Sequence, residues 1–171
     1  MVTPDYVRTM ARYNAWQNQS LYEAAAGLGE GEREANRGAF FGSIRGTLSH
    51  LMWADLIWMS RFDGGDRPEG GITGSAELFD WETLRSERPK LDARIAGWSW
   101  MVSEVELAGD LSWHSGVLER DVRKPMALCV AHFFNHQTHH RGQVHAMLTA
   151  AGAQPGDTDL FILPEEVPEW R

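Results

Sequence analysis

Residues 135–143 read Asn135-His136-Gln137-Thr138-His139-His140-Arg141-Gly142-Gln143, and this run places three of the chain's seven histidines within five residues. His136 and His140 are four residues apart, which is slightly more than one turn of an α-helix. Their imidazoles would therefore point to the same side of a helix and could bind one metal ion. Apolar residues recur at helical spacing around the run, between Pro125 and Gly152, and predict a helix over about residues 126–151.

The faces of this predicted helix divide the histidines into two groups. At about 100° per residue, His140 lies near the middle of the apolar stripe and His136 lies about 60° from its centre. His132 and His139 fall on the flank, and His145 points away. The stripe consists of Met126, Cys129, Val130, Phe133, Val144, Met147, Leu148 and Ala151. A buried imidazole without a partner costs about 1–3 kcal/mol. A divalent cation binds neutral imidazole and would satisfy both histidines, and hydrogen bonds to backbone or carboxylate groups are the alternative.

Two histidines do not make a tight metal site, so a third ligand is needed. His50 is the only histidine outside residues 110–151, but its helical position is at the edge of an apolar stripe rather than its middle. His132 could also pair with His136, although it faces less favourably. Periodicity alone leaves both of these alternatives open.

Three further amphipathic segments precede the histidine run. One follows Thr3-Pro4 over about residues 4–27, one follows Ser43 over about 44–62, and one runs from about Asp80 to about Leu107. Pro89 lies inside the third segment and either kinks that helix or marks its true first turn. Residues 111–125 lack a helical period and predict a possible short hairpin. The Leu160–Leu163 cluster is expected to pack back on the helices. Four long amphipathic segments predict an all-α four-helix bundle.

Composition narrows the function classes. The chain has 171 residues, of which 43% are hydrophobic, and we expect one domain spanning residues 1–171. A net charge of −8 argues against non-specific binding to nucleic acid or to an anionic membrane. Cys129 is the only cysteine, so no internal disulfide is possible. No secretory signal and no apolar stretch of membrane-spanning length is evident, so we expect a cytoplasmic protein.

Several short motifs together resemble the DinB (damage-inducible protein) family of bacteria, in the family's order and over nearly the whole chain. They are Thr47-Leu48-Ser49-His50-Leu51 followed by Trp58, the run of residues 135–143, Gly152-Ala153-Gln154-Pro155, and Asp157-Thr158-Asp159-Leu160. The run His136-x-x-His139-His140-Arg141-Gly142-Gln143 is the specific element. The His50-Leu51 element alone would be weak.

The resemblance implies a four-helix bundle with up-down-down-up order, commonly dimeric. It implies that His50, His136 and His140 bind a divalent metal ion, reported as nickel or zinc in the family, and that His139 is not a ligand. Relatives with known activity depend on thiols, as S-transferases or as a maleylpyruvate isomerase. The partners implied are a second copy of the chain and a small thiol or electrophile.

Three histidine ligands leave coordination positions for water or a substrate thiol, which is typical of catalytic sites. Because no thiolate ligand is present, iron and manganese are possible as well. We therefore expect a metal-dependent enzyme, a thiol S-transferase or a hydrolase. The alternative is a non-enzymatic stress-response protein acting as sensor, carrier or scaffold, its metal closed by a fourth ligand from His114, His132 or the C-terminal tail.

No residue stands out as the general base. Gln143 could only orient, and Asp55 is expected to pair with an arginine or to bind a histidine N–H. Cys129 is expected to be a buried structural thiol. The tryptophans are expected chiefly to fill the core, with walls of a substrate pocket as the alternative; they are Trp53, Trp58, Trp98, Trp100 and Trp113.

Overall fold

Side-chain caps start the three long helices that precede the histidine run. The Thr3 hydroxyl accepts from the backbone N–H of Tyr6 at 3.2 Å, and Pro4 follows it in the first turn. Ser43 Oγ accepts from the N–H of Gly46 at 2.9 Å, and an Asp80 carboxylate oxygen accepts from that of Thr83 at 2.8 Å. These caps satisfy backbone donors that a helix leaves free, so the helix starts predicted from sequence agree with the structure.

The computed structural model describes residues 2–167 and 170, and these are mostly helical. The elements are α1 (Pro4–Ala26), α2 (Glu30–Glu34), α3 (Ile44–Phe62), a 3-10 turn (Ser75–Glu77), α4 (Trp81–Met101), α5 (Glu104–Ala108), β1 (Asp110–Ser115), β2 (Arg120–Pro125), α6 (Met126–Ala150) and a second 3-10 turn (Leu160–Ile162). Within this part of the chain, no helix is both long enough and apolar enough to cross a membrane.

The four long helices enclose the main apolar core. Helix α1 packs against α4 and α6, and α3 packs against the same two helices. The core side chains come from all four; they include Val7, Leu21, Ile44, Leu48, Met59, Leu84, Ile95, Val130, Phe133 and Leu148. The four predicted helical segments therefore form and pack together, while the up-down-down-up order stays a prediction.

The third predicted helix is not continuous to Leu107, and this expectation was wrong. Helix α4 ends at Met101, and Val102 has an extended backbone with φ −65° and ψ 130°. Ser103 then caps α5 through a capping box, in which its hydroxyl accepts from the N–H of Glu106 and the Glu106 carboxylate accepts from the N–H of Ser103. Pro89 lies inside α4, which includes residues on both sides of it.

The expected hairpin is present, and it corrects the all-α assignment. Strands β1 and β2 pair antiparallel, with Asp110 opposite Pro125 and Ser115 opposite Arg120. Leu111 and Trp113 are half-buried on one face of β1, and their neighbours on the other face are exposed. A half-buried alternating segment suits a strand better than a helix. The hairpin is joined to α6 by a hydrogen bond from the N–H of Met126 to the Gly109 carbonyl, at 2.9 Å.

The C-terminal tail is held by polar bonds rather than by its apolar cluster. Tyr13 donates to the Thr158 carbonyl at 2.7 Å, and Gln17 donates to the Asp157 carbonyl at 2.8 Å. Phe161 is 87% exposed, and Leu160 and Ile162 are also exposed. The expectation that Leu160–Leu163 packs back was therefore wrong for these three side chains, because α1 offers polar side chains to the tail.

Candidate metal centre

Two helices bring the three predicted ligands together. His50 comes from the middle of α3, and His136 and His140 come from successive turns of α6. The Nε2 atom of His136 lies 3.4 Å from that of His50 and 3.1 Å from that of His140. Two imidazole nitrogens bound at 2.0–2.1 Å to a tetrahedral or octahedral cation are themselves about 3.0–3.4 Å apart. The spacing therefore suits one shared metal ion.

Hydrogen bonds on the far side of two rings fix their tautomers. Ser75 Oγ lies 2.8 Å from the Ile72 carbonyl oxygen and 2.9 Å from Nδ1 of His50, and with a single hydroxyl proton it satisfies both contacts only when Nδ1 carries a proton. Nδ1 of His140 lies 2.8 Å from Oε1 of Gln143, an amide oxygen that accepts only. Both histidines thus carry their proton on Nδ1 and turn an Nε2 lone pair towards His136.

These lone pairs cannot all be satisfied within the protein. Nε2 of His136 can donate one proton to only one of the two other rings, so the Nε2 lone pair of the other ring is left without a donor. Extra protons are disfavoured. Burial and the neighbouring His140 lower the pKa of His50 to about 4, and burial with four nearby histidines lowers the pKa of His136 to about 3. Burial also lowers the pKa of His140. The site stays neutral at pH 7, and a cation would resolve the repulsion.

An aromatic loop covers one side of the cluster. The ring of Phe41 stacks on that of His50 at 3.7 Å between centroids, and it lies 5.5 Å from the ring of His140. The approach of this loop requires Gly46 on α3, since a Cβ there would lie 2.6 Å from the Phe41 carbonyl oxygen. Trp53 flanks His50 with ring centroids 6.0 Å apart. The histidines therefore have apolar neighbours that restrict water.

A buried polar network lies behind the cluster and joins the two helices that supply its histidines. The Asp55 carboxylate accepts from Arg88 at 2.8 Å and from the Gln137 amide at 3.0 Å. Arg88 also pairs with Asp92 at 2.7 Å, and Asp92 accepts from Asn18 at 2.9 Å. Burial opposes the charge on Arg88, but its two carboxylate partners raise its pKa. Asp55 thus pairs with an arginine, as expected, and its bond to Gln137 holds α3 against α6.

The other candidates lie apart from the cluster. His139 is exposed and contacts the Gln143 amide nitrogen at 3.2 Å, and His114 pairs with Asp121 on the exposed hairpin. The ring of His132 lies 5.8 Å from that of His136. Cys129 is buried, and burial raises the pKa of its thiol. Within residues 2–167 and 170, His50, His136 and His140 form the one cluster suited to a metal, and no fourth side chain joins it.

Sequence reasoning missed two residues that shape the site. Ser75 lies in a glycine-rich segment and Phe41 in a predicted loop, 25 and 9 residues from His50 respectively. No local pattern connects a loop residue to a helix that it later contacts. For Phe41 a signal existed in Gly46, a helix position that only glycine can occupy when a loop approaches closely.

The chain is similar to known proteins over nearly its whole length. The model of the DinB family matches residues 1–170. The chain is 26% identical to Protein DinB of Bacillus subtilis (strain 168) over 166 residues, which cover 92% of this chain and 93% of that relative.

Proposed function

The chain belongs to the DinB family, as its motifs indicated, and from this premise we propose that it binds one divalent cation through Nε2 of His50, His136 and His140. The carrying observation is the pair of fixed tautomers, in which Ser75 and Gln143 take the Nδ1 protons and leave two Nε2 lone pairs beside a third histidine. The family resemblance favours nickel or zinc for this set of three neutral imidazoles, and iron or manganese are also compatible.

The donor set favours a reactive site over a structural one. Closed structural zinc sites have four protein ligands and usually include cysteine. Here three histidines form the whole cluster within the described residues, and Cys129 is not part of it. This composition leaves coordination positions for a water molecule or a substrate.

We propose that the protein is a metal-dependent enzyme acting with a small thiol, of the S-transferase type. A bound divalent cation would lower the pKa of a thiol or water that it coordinates. The thiol sulfur would form a bond to an electrophilic carbon, the leaving group would depart with its bonding pair, and the thiol proton would pass to solvent. Hydrolysis is the variant in which water replaces the thiol. Phe41 and Trp53 would exclude bulk water. Ser75 and Gln143 would hold the imidazole rings of His50 and His140 in the orientation that binds metal.

Metal analysis of untagged protein tests the site. We expect about one equivalent of nickel or zinc in the wild type and a large loss in His50→Ala, His136→Ala and His140→Ala. His139→Ala is the matched control, because this neighbouring histidine is exposed and lies outside the cluster. Full occupancy in all three cluster variants would refute the proposal.

Spectroscopy of cobalt-substituted protein tests the reaction class. Small thiols should perturb the visible spectrum and add a sulfur-to-cobalt charge-transfer band, since thiolates are strong donors to such ions. Absence of a response to every thiol, in protein that holds cobalt, would refute the thiol reaction and leave hydrolysis or the non-enzymatic role as sensor, carrier or scaffold.

We further propose that the protein is a homodimer, as the family resemblance implies. The exposed side chains of Leu160, Phe161 and Ile162 are compatible with a contact between copies. Light scattering coupled to size exclusion tests this, and a monomer at micromolar concentration would contradict it.

A further inference from the structure

One arginine near the end of α3 lies between two tryptophans. The guanidinium carbon of Arg61 is 4.5 Å from the ring centroid of Trp58 on α3 and 5.1 Å from that of Trp113 on β1. The two tryptophan rings contact each other edge to face, at 5.6 Å between centroids. A guanidinium held by ring faces keeps its N–H edges available for hydrogen bonds in the plane.

Arg61 differs from the other shielded arginines in having no oxygen partner. Arg94 pairs with Asp63, Arg45 with Glu34 and Arg88 with two aspartates. Among the buried and half-buried arginines of residues 2–167, only Arg61 bonds to neither a carboxylate nor another oxygen; the rest of that group are Arg8, Arg33, Arg37 and Arg141. In a chain of net charge −8, such a cation stands out.

The surroundings of Arg61 add positive rather than negative charge. Burial, and then the nearby Arg67, lower the pKa of Arg61 to about 10. Two further charged groups, Lys124 and Asp110, lie near the Cys129 thiol, which is itself close to Arg61. The Asp110 carboxylate is already bonded to Arg123 at 2.8 Å. A partly desolvated cation without a counterion is costly, and an incoming anion would relieve that cost.

A short path of ring contacts joins this arginine to the histidine cluster. The Trp58 ring lies 5.1 Å from that of His132, and the His132 ring lies 5.8 Å from that of His136. His132 is exposed, so this path follows the surface where α3 meets α6. A ligand about three residues long, roughly 10 Å when extended, has the size to lie along it.

We propose that Arg61, framed by Trp58 and Trp113, binds the carboxylate of an extended thiol substrate whose sulfur is directed towards His50, His136 and His140. This inference rests on the proposed function, and it names the substrate class: a thiol with an anionic end about the length of a tripeptide from its sulfur. The guanidinium would donate two parallel hydrogen bonds to the carboxylate. Arg61 would thereby set specificity without contacting the reacting atoms.

Tryptophan fluorescence gives a direct binding measurement, because Trp58 and Trp113 flank the subsite. The probe is S-methylglutathione, a tripeptide with two carboxylates and no free thiol, and its dimethyl ester, which keeps only the ammonium charge, is the comparison that lacks carboxylates. Wild-type protein should bind the free acid at least about tenfold more tightly than the ester, in line with the strength of hydrogen bonds between charged groups.

Two variants with a matched control isolate the guanidinium. Arg61→Met keeps an apolar stem on the rings and should weaken binding of the acid about tenfold or more while leaving the ester unchanged. Arg61→Lys should give an intermediate value, because charge remains but the bidentate geometry is lost. Arg85→Met, at an exposed position of α4, should behave as wild type. Equal affinities in Arg61→Met and Arg85→Met would overturn the subsite.

A second readout separates this inference from the proposed function. In cobalt-substituted protein, 2-mercaptoethanol tests thiol binding without a carboxylate, and glutathione tests it with one. If both thiols bind and glutathione gains nothing from Arg61, the subsite is wrong and the proposed function stands. If neither thiol perturbs cobalt while S-methylglutathione still depends on Arg61, the subsite stands and the thiol reaction is wrong.

Discussion

Replacing Ser75 by alanine tests whether a hydroxyl outside the metal cluster controls metal affinity. Ser75 Oγ accepts the Nδ1 proton of His50 at 2.9 Å while donating to the Ile72 carbonyl at 2.8 Å. Without it, a Nδ1–H on the buried His50 ring has lost its acceptor, which costs about 1–3 kcal/mol. Loss of such an orienting partner lowers metal affinity about 10- to 100-fold, or roughly 1.4–2.7 kcal/mol.

The metal-free protein should suffer less than the metal-bound one. Without metal, the His50 proton can move to Nε2 and be donated towards Nε2 of His136, which lies 3.4 Å away. Bound metal forbids this rearrangement, because both nitrogens must then offer lone pairs. We therefore expect Ser75→Ala to weaken metal binding by more free energy than it removes from the unfolding free energy of the metal-free protein.

Two titrations measure this difference. Competition with a chromophoric chelator gives the metal dissociation constant, and urea unfolding of chelated protein gives the stability. Ser86→Ala is the control, since Ser86 is exposed on α4 and bonds within its own helix. A metal dissociation constant within twofold of wild type in Ser75→Ala would refute the tautomer argument.

Three further predictions concern the helices around the centre. In metal-free protein the pKa values of His50 and His136, about 4 and about 3, lie below the ordinary 6.5. The unfolded chain then binds more protons, so the unfolding free energy is greatest above about pH 6.5 and falls as pH decreases towards 4. Urea melts at several pH values should show that the unfolding free energy of His136→Gln falls less steeply with decreasing pH than that of the wild type. Equal slopes in the two proteins would contradict this. Arg88→Met leaves the Asp55 and Asp92 carboxylates buried without their arginine counterion and should lower the unfolding free energy by about 3–5 kcal/mol in urea melts. A loss under 1 kcal/mol would count against the network. Gly46→Ala should push the Phe41 loop from α3 at a cost of about 1–3 kcal/mol and weaken metal binding, whereas Gly97→Ala, with open space at its Cβ, should not.

Local signals explain which parts of the fold could be predicted. Thr3, Ser43 and Asp80 cap their helices through atoms within three residues, so the helix starts are written in short stretches of sequence. The break after Met101 was missed because Val105 continues the apolar spacing of α4. The capping box of Ser103 and Glu106 outweighed that spacing.

The residues of the site also differ in whether a local sequence signal predicts them. His136 and His140 share a helix, so their spacing alone places them together. Periodicity put His50 at the edge of its apolar stripe, although the structure buries it, so its role needed the family resemblance. Ser75, Phe41 and Arg61 act through contacts between distant elements. Periodicity describes which way a side chain faces but not which loop will later meet it.

The ligands lie on only two of the four long helices, and those from α6 are 86 or more residues along the chain from His50 on α3. A cation held by both helices would act as a reversible cross-link. Closing a loop of this length covalently would remove chain entropy equivalent to about 4–5 kcal/mol from the unfolded ensemble. The availability of metal would then determine how often α3 and α6 separate. Helices α1 and α4 carry no ligand, so metal would affect them only indirectly. In a cell, resistance of the folded chain to proteolysis would rise and fall with the availability of the ion.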